Sequence, residues 1–361
     1  MTTYNFEEIL DSFKISGKIT PFGSGHINDT FLIESGEKKY TLQRINSDVF
    51  KTPADVMSNI IAVTQHIKDK VKTNGGDVTR EVLNFLPAQD GNYFYKDSTG
   101  NYFRVYAFID DVVTYDIVEK PSDFYHSAKA FGKFQKLLSD FPADQLHETL
   151  PNFHNTKARF ENLKKAVLEN KSGRLNNVRG EVEFFFEREA DTGIVLDAIR
   201  AGEVPVRVTH NDTKLNNVLI DKQSGEAICV IDLDTVMPGS LLYDYGDSLR
   251  FGTNTAAEDE TDLSLVSCSL EYFEAYTKGF LEELSDCLTK RETELLAFSA
   301  KLLTLECGMR FLSDYLDGDT YFKIHRENHN LDRARTQIKL VSDMEAKLDQ
   351  MQEIIKRYLN P

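Results

Sequence analysis

The sequence predicts an α+β protein made of a small sheet domain, residues 1–108, and a larger, mainly helical domain, residues 109–361. Three observations carry that prediction. Strand-like alternation around glycine turns dominates the first part of the chain, apolar positions recur at helical spacing from about residue 121, and two short strand-like runs at 206–210 and 227–234 interrupt the helices beside clusters of polar residues. A length of 361 residues, at roughly 150 residues per domain, fits two domains with cores large enough to fold without staples.

In chain order, the Gly-rich stretch PFGSGHIND leads into the apolar TFLI, and after the turn SGEKK comes YTLQRI. This reads as a hairpin with a glycine loop near its entry. Thr52 and Pro53 then suit the N-cap and first position of a helix reaching Lys72, with Val56, Ile60, Val63 and Ile67 at helical spacing. NYFYKDSTGNYFRVYAF alternates around a Ser-Thr-Gly turn and closes the small domain near Phe108. Beyond it, FYHSAKAFGKFQKLLSDF is a helix with a stop at Pro142. The chain closes with one long helix in which Val341, Met344, Leu348, Met351, Ile355 and Leu359 alternate steps of three and four. That stripe is too short for a convincing coiled coil, so it is expected to pack on its own domain.

Composition removes several functions. The formal charge is −16, from 42 basic and 58 acidic residues. An acidic surface repels a phosphate backbone and no basic cluster offsets it, so a duplex-binding role is excluded. The amino terminus is polar and partly acidic, and no apolar run approaches the roughly 18 residues of a membrane span. The four cysteines, Cys229, Cys268, Cys287 and Cys307, are far apart and include no C-x-x-C pair, which signals neither a zinc site nor a disulfide framework. The expected setting is reducing and cytoplasmic, without nucleic-acid or membrane partners. A nucleotide substrate stays compatible with the charge, because Mg²⁺ and backbone N–H groups can hold phosphates locally.

The chemistry concentrates in VTHNDTKLNNVLID and the IDLD that begins at Ile231, each at the end of an apolar strand-like run. Phosphoryl transfer needs a carboxylate to orient the attacking hydroxyl and accept its proton, and oxygen donors to hold Mg²⁺ on the phosphates. Asp212, then Asn217 five residues on, then Asp232 supply that inventory in the order used by kinase catalytic and metal loops. Asp212 is the candidate base and Asn217 and Asp232 the candidate metal ligands. Asp234 either joins the metal or caps the loop that turns at Pro238-Gly239. In the glycine loop, Gly23 and Gly25, flanking Ser24, would let backbone N–H groups approach phosphate oxygens. An isolated HND or GSG is ordinary turn chemistry; the contiguous block of strand, H-x-D, Asn, strand and D-x-D is not.

At these residues the chain resembles the aminoglycoside phosphotransferase and choline kinase family, a small-molecule branch of the protein-kinase-like fold, and the resemblance runs over nearly the whole chain. Within the family it is more similar to the bacterial N-acetylhexosamine 1-kinases of bifidobacterial type, through GHIN, VTHNDTKLNN, IDLDTVMPGS, YDYGDSLRFG, ECGMRFLSDYL and RTQIKLV. The resemblance implies a two-lobed, aminoglycoside-phosphotransferase-like fold with a small antiparallel-sheet lobe and a larger helical lobe. It also implies transfer of the ATP γ-phosphate, with Mg²⁺, to the anomeric hydroxyl of N-acetylglucosamine or N-acetylgalactosamine. Asp212 matches the catalytic aspartate, Asn217 and Asp232 the metal positions, and His26, Arg310 and Tyr321 the sugar site. Adenine is expected near Phe108 to Asp110, and a monomer is expected.

One departure stands out. Protein kinases pair a strand lysine with a helix glutamate to hold the phosphates. Here Gln43 stands about where the lysine would, Arg44 follows on the opposite face, and the helix from Pro53 to Lys72 has no glutamate. Either Arg44 reaches the phosphates, or Mg²⁺ and glycine-loop amides do most of the neutralising. Two other readings stay open: an aminoglycoside- or choline-type kinase with a cationic acceptor, and a catalytically silent nucleotide-binding scaffold.

Overall fold

The computed structural model describes residues 4–23, 27–115 and 117–359. It is an α+β fold with a small antiparallel sheet region and a mostly helical remainder. The chain forms two compact units. The first runs to Thr114 and takes in Asp140–Pro151 and Val218–Pro238; the second comprises Tyr115–Ser139, Asn152–Asn217 and the chain from Gly239 onward.

The first unit is built on five antiparallel strands in the order Lys18–Pro21, Asp29–Ser35, Lys38–Ile45, Tyr102–Ala107 and Tyr95–Lys96. Strand alternation gives the sheet two different faces. Ile33, Leu42, Phe103 and Val105 lie on one, sealed by Ile9, Leu10 and Phe13 from the helix Phe6–Ser12 and its end. Gln43 and Arg104 lie on the other, directly opposite each other in the register. The helix Pro53–Thr73 buries Val56, Ile60, Val63 and Ile67 as its spacing requires. Thr52 takes its N-cap position, but the hydroxyl makes no capping bond. A second sheet in this unit joins Val112–Val113, Val218–Asp221 and Ala227–Val230, all antiparallel. Its hairpin turn is fastened by Asp221, whose carboxylate accepts from the Ser224 and Gln223 backbone N–H groups and the Ser224 hydroxyl.

The second unit centres on the 28-residue helix Lys290–Asp317. Thr289 and Glu292 close its start in a reciprocal capping box, and Gly318, at φ 101°, ends it. The helices Thr156–Glu169, Leu241–Gly252 and His329–Ala346 pack on it, while Pro121–Leu137 and Leu270–Leu284 pack on each other. The expected long closing helix is in fact two, His329–Ala346 and Leu348–Leu359. The chain bends at Lys347, whose ammonium is tied to Asp343, Ser267 and the Cys268 carbonyl. The apolar stripe survives the bend, with Val341, Met344, Met351 and Ile355 all buried in the unit's own core. No helix among the described residues is long and apolar enough to cross a membrane.

The helix Leu241–Gly252, which proves central below, packs backbone to backbone against the long helix. A Cβ built on Gly246 would stand 2.4 Å from the Ser299 carbonyl oxygen. Neither backbone can swing away as a side-chain tip could, so G246A is expected to force the two helices apart and destabilise the protein by about 1–3 kcal/mol. Denaturant unfolding of the variant beside the parent measures this; an unchanged midpoint contradicts it.

Candidate active site

The catalytic-loop candidate grows from the strand Arg207–Thr209 in the second unit. His210 is fully buried, its ring edge-on to Phe131 and Phe134. Asn211 follows at φ 65°, a left-handed conformation that asparagine adopts more readily than most side chains. The loop is held there by Asp244, whose carboxylate accepts from the N–H of His210 at 2.9 Å, the N–H of Asn211 at 2.7 Å and Gln135 Nε2 at 2.6 Å. Burial pushes the Asp244 carboxyl up, against the pull of these donors. On the far side of Asp212, the Thr213 hydroxyl donates to the Asp244 carbonyl, and Ser248 donates to the Thr213 carbonyl. One helix, Leu241–Gly252, therefore grips the loop on both sides of its aspartate.

Asp212 itself is half-buried. Asn217 Nδ2 donates to its carbonyl at 2.9 Å and to Oδ2 at 3.2 Å, while Lys214 Nζ lies 2.8 Å from Oδ1. Desolvation would lower the Lys214 ammonium, but the Asp212 carboxylate beside it holds it above its ordinary range. With its nitrogen committed to Asp212, the Asn217 amide has Oδ1 as the atom that can ligate a cation.

Behind the loop lies a buried ion pair. His154 Nδ1 is 3.1 Å from Glu306 Oε1, and Nε2 is 3.4 Å from the Asn211 carbonyl oxygen. Both ring nitrogens face acceptors, an arrangement that suits the doubly protonated ring. Burial alone would lower His154, but Glu306 raises it above the usual 6.5. Glu306 stays below the ordinary carboxylate range: burial raises it, and His154, with a 2.6 Å bond from the Thr156 hydroxyl, outweighs burial.

The sugar-site candidates Arg310 and Tyr321 line one cavity of about 280 Å³ within the same unit, together with Arg159, Asp314 and Phe322. Asp314 shapes its rim by accepting from the N–H groups of Thr320, Tyr321 and Phe322. Tyr321 is 75% exposed, so it is a free aromatic wall and not core. The Arg310 guanidinium stands 5.9 Å and 5.3 Å from the Tyr321 and Phe322 ring centres. Arg159 donates to the Phe153 carbonyl through Nη2, while its Nε is buried with no hydrogen-bond partner among the described residues. Burial, and then Arg310, lower the Arg159 pKa. The cavity joins the catalytic loop through short links: Phe153 is held by Arg159 while the adjacent His154 touches Asn211, and Arg310 is one helical turn from Glu306.

The first unit holds the other candidates. Asp232 opens the metal loop at φ 59°, again left-handed. Asp234, two residues on, is buried; one of its oxygens accepts from Arg104 and the other from Asn28 Nδ2 at 2.5 Å. Arg104 in turn donates through Nε and Nη2 to Gln43 Oε1, at 3.0 and 2.7 Å. Arg44 is on the opposite sheet face, its Nε 2.6 Å from Asp29 Oδ2, which also accepts from Tyr4. Phe108 packs edge-on to Phe22, and the Asp110 carboxylate pairs with Lys39. Gly23 takes φ 80°, which favours glycine. Ser24, Gly25 and His26 lie outside the described residues.

Mg²⁺ takes hard oxygen donors, usually one or two from protein with the rest from phosphate and water. An amide oxygen on Asn217 and a carboxylate on Asp232 are donors of that kind. Among the described residues no cluster of three or more His, Cys, Asp or Glu could hold a metal as an all-protein cage.

Four contributors escaped the sequence reading. Lys214 was detectable as a cation between Asp212 and Asn217, and Asp244 as an acid inside an apolar helix start, a position where unpaired charge is rare. Arg104 was detectable as a charge in the middle of a strand. Arg159, in ARFENLKK, gave no local signal.

The model of the phosphotransferase enzyme family matches residues 18–276. An aminoglycoside phosphotransferase from Alicyclobacillus acidocaldarius subsp. acidocaldarius DSM 446 is similar in structure with a TM-score of 0.65 at 11% identity, covering 99% of this chain and 98% of that one. A microcompartment-associated aminopropanol kinase gives 0.58 at 14% identity, with 96% and 98% covered. A spectinomycin phosphotransferase in complex with ADP and spectinomycin gives 0.50 at 12%, with 95% and 98% covered. At these identities the likeness establishes the protein-kinase-like fold and leaves the acceptor open.

The His154–Glu306 pair sets a pH dependence. A histidine whose folded pKa is raised above 6.5 contributes stability that is fully present below that value and is lost as pH rises through the folded pKa. The melting temperature of the parent is thus expected to fall, relative to that of H154Q, as the pH rises above 6.5. Parallel curves for the two proteins contradict this.

Proposed function

Because the chain belongs to the phosphotransferase enzyme family, whose model spans well over half of it, we propose that it transfers the γ-phosphate of ATP to the anomeric hydroxyl of N-acetylglucosamine or N-acetylgalactosamine. The observation that carries the acceptor is the cavity. Arg310 and Arg159 are directional donors suited to sugar hydroxyls and an N-acetyl carbonyl, and Tyr321 offers the flat face of a ring with a polar tip. Glu169, Asp314 and Asp317 line the same cavity, so a cationic acceptor would also find partners there, and relatives named for aminopropanol and spectinomycin keep the aminoglycoside- and choline-type reading testable.

In this reading Asp212 accepts a hydrogen bond from the attacking hydroxyl, aligns it, and takes its proton as the bond to phosphorus forms. Lys214 and Asn217 hold the Asp212 carboxylate from two sides, so its orientation needs no adjustment when substrate arrives. Mg²⁺, when bound, would offset charge on the transferring phosphate, with Asn217 Oδ1 and the Asp232 carboxylate as its protein donors. Gly23, Ser24 and Gly25 are assigned to the phosphates, the Phe108 to Asp110 segment to adenine, and His26 to the sugar. ATP as donor is supported by the ADP held in the spectinomycin phosphotransferase.

ADP release on mixing the protein with ATP and either N-acetylhexosamine tests the reading, with an aminoglycoside or choline as the alternative acceptor. Release with a cationic acceptor alone would sink the sugar assignment. D212N is expected to lower kcat by about 10²–10⁴ while leaving nucleotide affinity near the parent's; retained turnover removes Asp212 from its role. R310A, which removes charged donors, is expected to raise the sugar KM by about 10- to 100-fold with the ATP KM unchanged. An equal change in both would mean that Arg310 serves the fold and not the acceptor.

A further inference from the structure

We propose that Arg104 replaces the missing strand lysine, acting as a buried positioning cation that fixes the turn carrying Asp232 through Asp234. The inference rests on the kinase reading and concerns only the first unit.

The antiparallel register places Gln43 directly opposite Arg104. Gln43 Oε1 accepts from both Nε and Nη2 of that arginine, and Gln43 Nε2 donates to Thr30 Oγ1 at 3.1 Å. The residue at 43 therefore has to be an acceptor. A lysine there would set two cations across one pair of strands in a buried position. The helix Pro53–Thr73 contains no glutamate, and what it presents to Arg104 is a thioether, Met57 Sδ at 3.9 Å from Nη1. The counter-charge comes from Asp234 instead, on the metal-loop turn.

Arg104 and Asp234 are each only 2–3% exposed, so each needs the other. The second oxygen of Asp234 accepts from Asn28. Asn28 Oδ1 takes the N–H of Asn46, and Asn46 Nδ2 donates to the Ile27 carbonyl. One continuous network thus runs from the exit of the glycine loop at Ile27 and Asn28, through Asp234 and Arg104, to Gln43 and the sheet. Asp232 sits two residues from its anchored neighbour in a left-handed conformation, so the anchor and Asp232 belong to one tight turn. Arg44 takes no part, being committed to Asp29 on the other face.

The test measures binding of Mg·ADP and of N-acetylglucosamine by titration calorimetry, with circular dichroism and melting temperature as controls for folding. R104M and D234N are expected to weaken Mg·ADP by about 10- to 100-fold and to raise the Mg²⁺ concentration needed for half-maximal binding. Sugar affinity should stay at the parent's value. Q43K, which restores the usual lysine, is expected to weaken Mg·ADP as well. R104K should recover part of the loss. Folded R104M and D234N proteins with parental Mg·ADP affinity overturn the proposal, as does tighter binding by Q43K. If the charge variants fail to fold, N28A removes one neutral bond to Asp234 and decides the matter: several-fold weaker Mg·ADP supports the proposal and unchanged affinity overturns it. A parent protein that binds Mg·ADP but phosphorylates no N-acetylhexosamine refutes the acceptor assignment alone, whereas a parent that binds no Mg·ADP overturns both.

Discussion

The carboxylate of Asp244 is the point on which the second unit's chemistry hangs. It is buried inside a helix of largely apolar surroundings and accepts consecutive backbone N–H groups from His210 and Asn211. Those two bonds hold Asn211 in its left-handed conformation. From that bend follow the direction of Asp212, its reach to Lys214, and the fold-back that lets Asn217 bond to the Asp212 carbonyl. The helix can bear this duty because it is itself fixed in the largest core, with Tyr245 and Leu249 fully buried and Gly246 against the long helix.

The first unit repeats the device with a different partner. Asp234 is likewise buried two residues from a left-handed aspartate, but it is answered by an arginine from the sheet where Asp244 is answered mainly by backbone. In both cases a hidden carboxylate fixes the backbone beside a more accessible one, Asp212 in one unit and Asp232 in the other. This changes the meaning of the overall acidity. The charge of Asp234 is balanced by Arg104 within the buried pair, so under the proposed kinase reading the missing lysine has a stand-in in the sheet.

What could be read from the chain alone was whatever is local. Alternation gave the strands around Gly36 and Gly100, helical spacing gave Pro53–Thr73, and the order of Asp212, Asn217 and Asp232 pointed to phosphoryl transfer. Arg310 and Tyr321 were reached by resemblance, and the structure brings them into one cavity with Arg159. What stayed hidden depends on partners distant in sequence. Arg104 becomes meaningful only when the register sets it opposite Gln43 and an aspartate 130 residues later reaches it. Asp244 is a helix residue until the loop 33 residues earlier is laid on it. The bend at Lys347 escaped because the apolar stripe continues through it; only the contacts with Ser267 and Cys268 mark the break.

In the proposed function a phosphotransferase loop anchored by Asp244 serves the cavity of Arg310 and Tyr321 as acceptor site, with the anomeric hydroxyl of the sugar as nucleophile. The position of the new phosphate tests the proposed roles of cavity and loop at once. Phosphorus–proton correlation spectroscopy of the product formed from ATP and N-acetylglucosamine reads that position directly. The account predicts coupling of the phosphorus to the anomeric proton. Coupling to the protons of any other carbon, or the absence of a sugar phosphate, would contradict it.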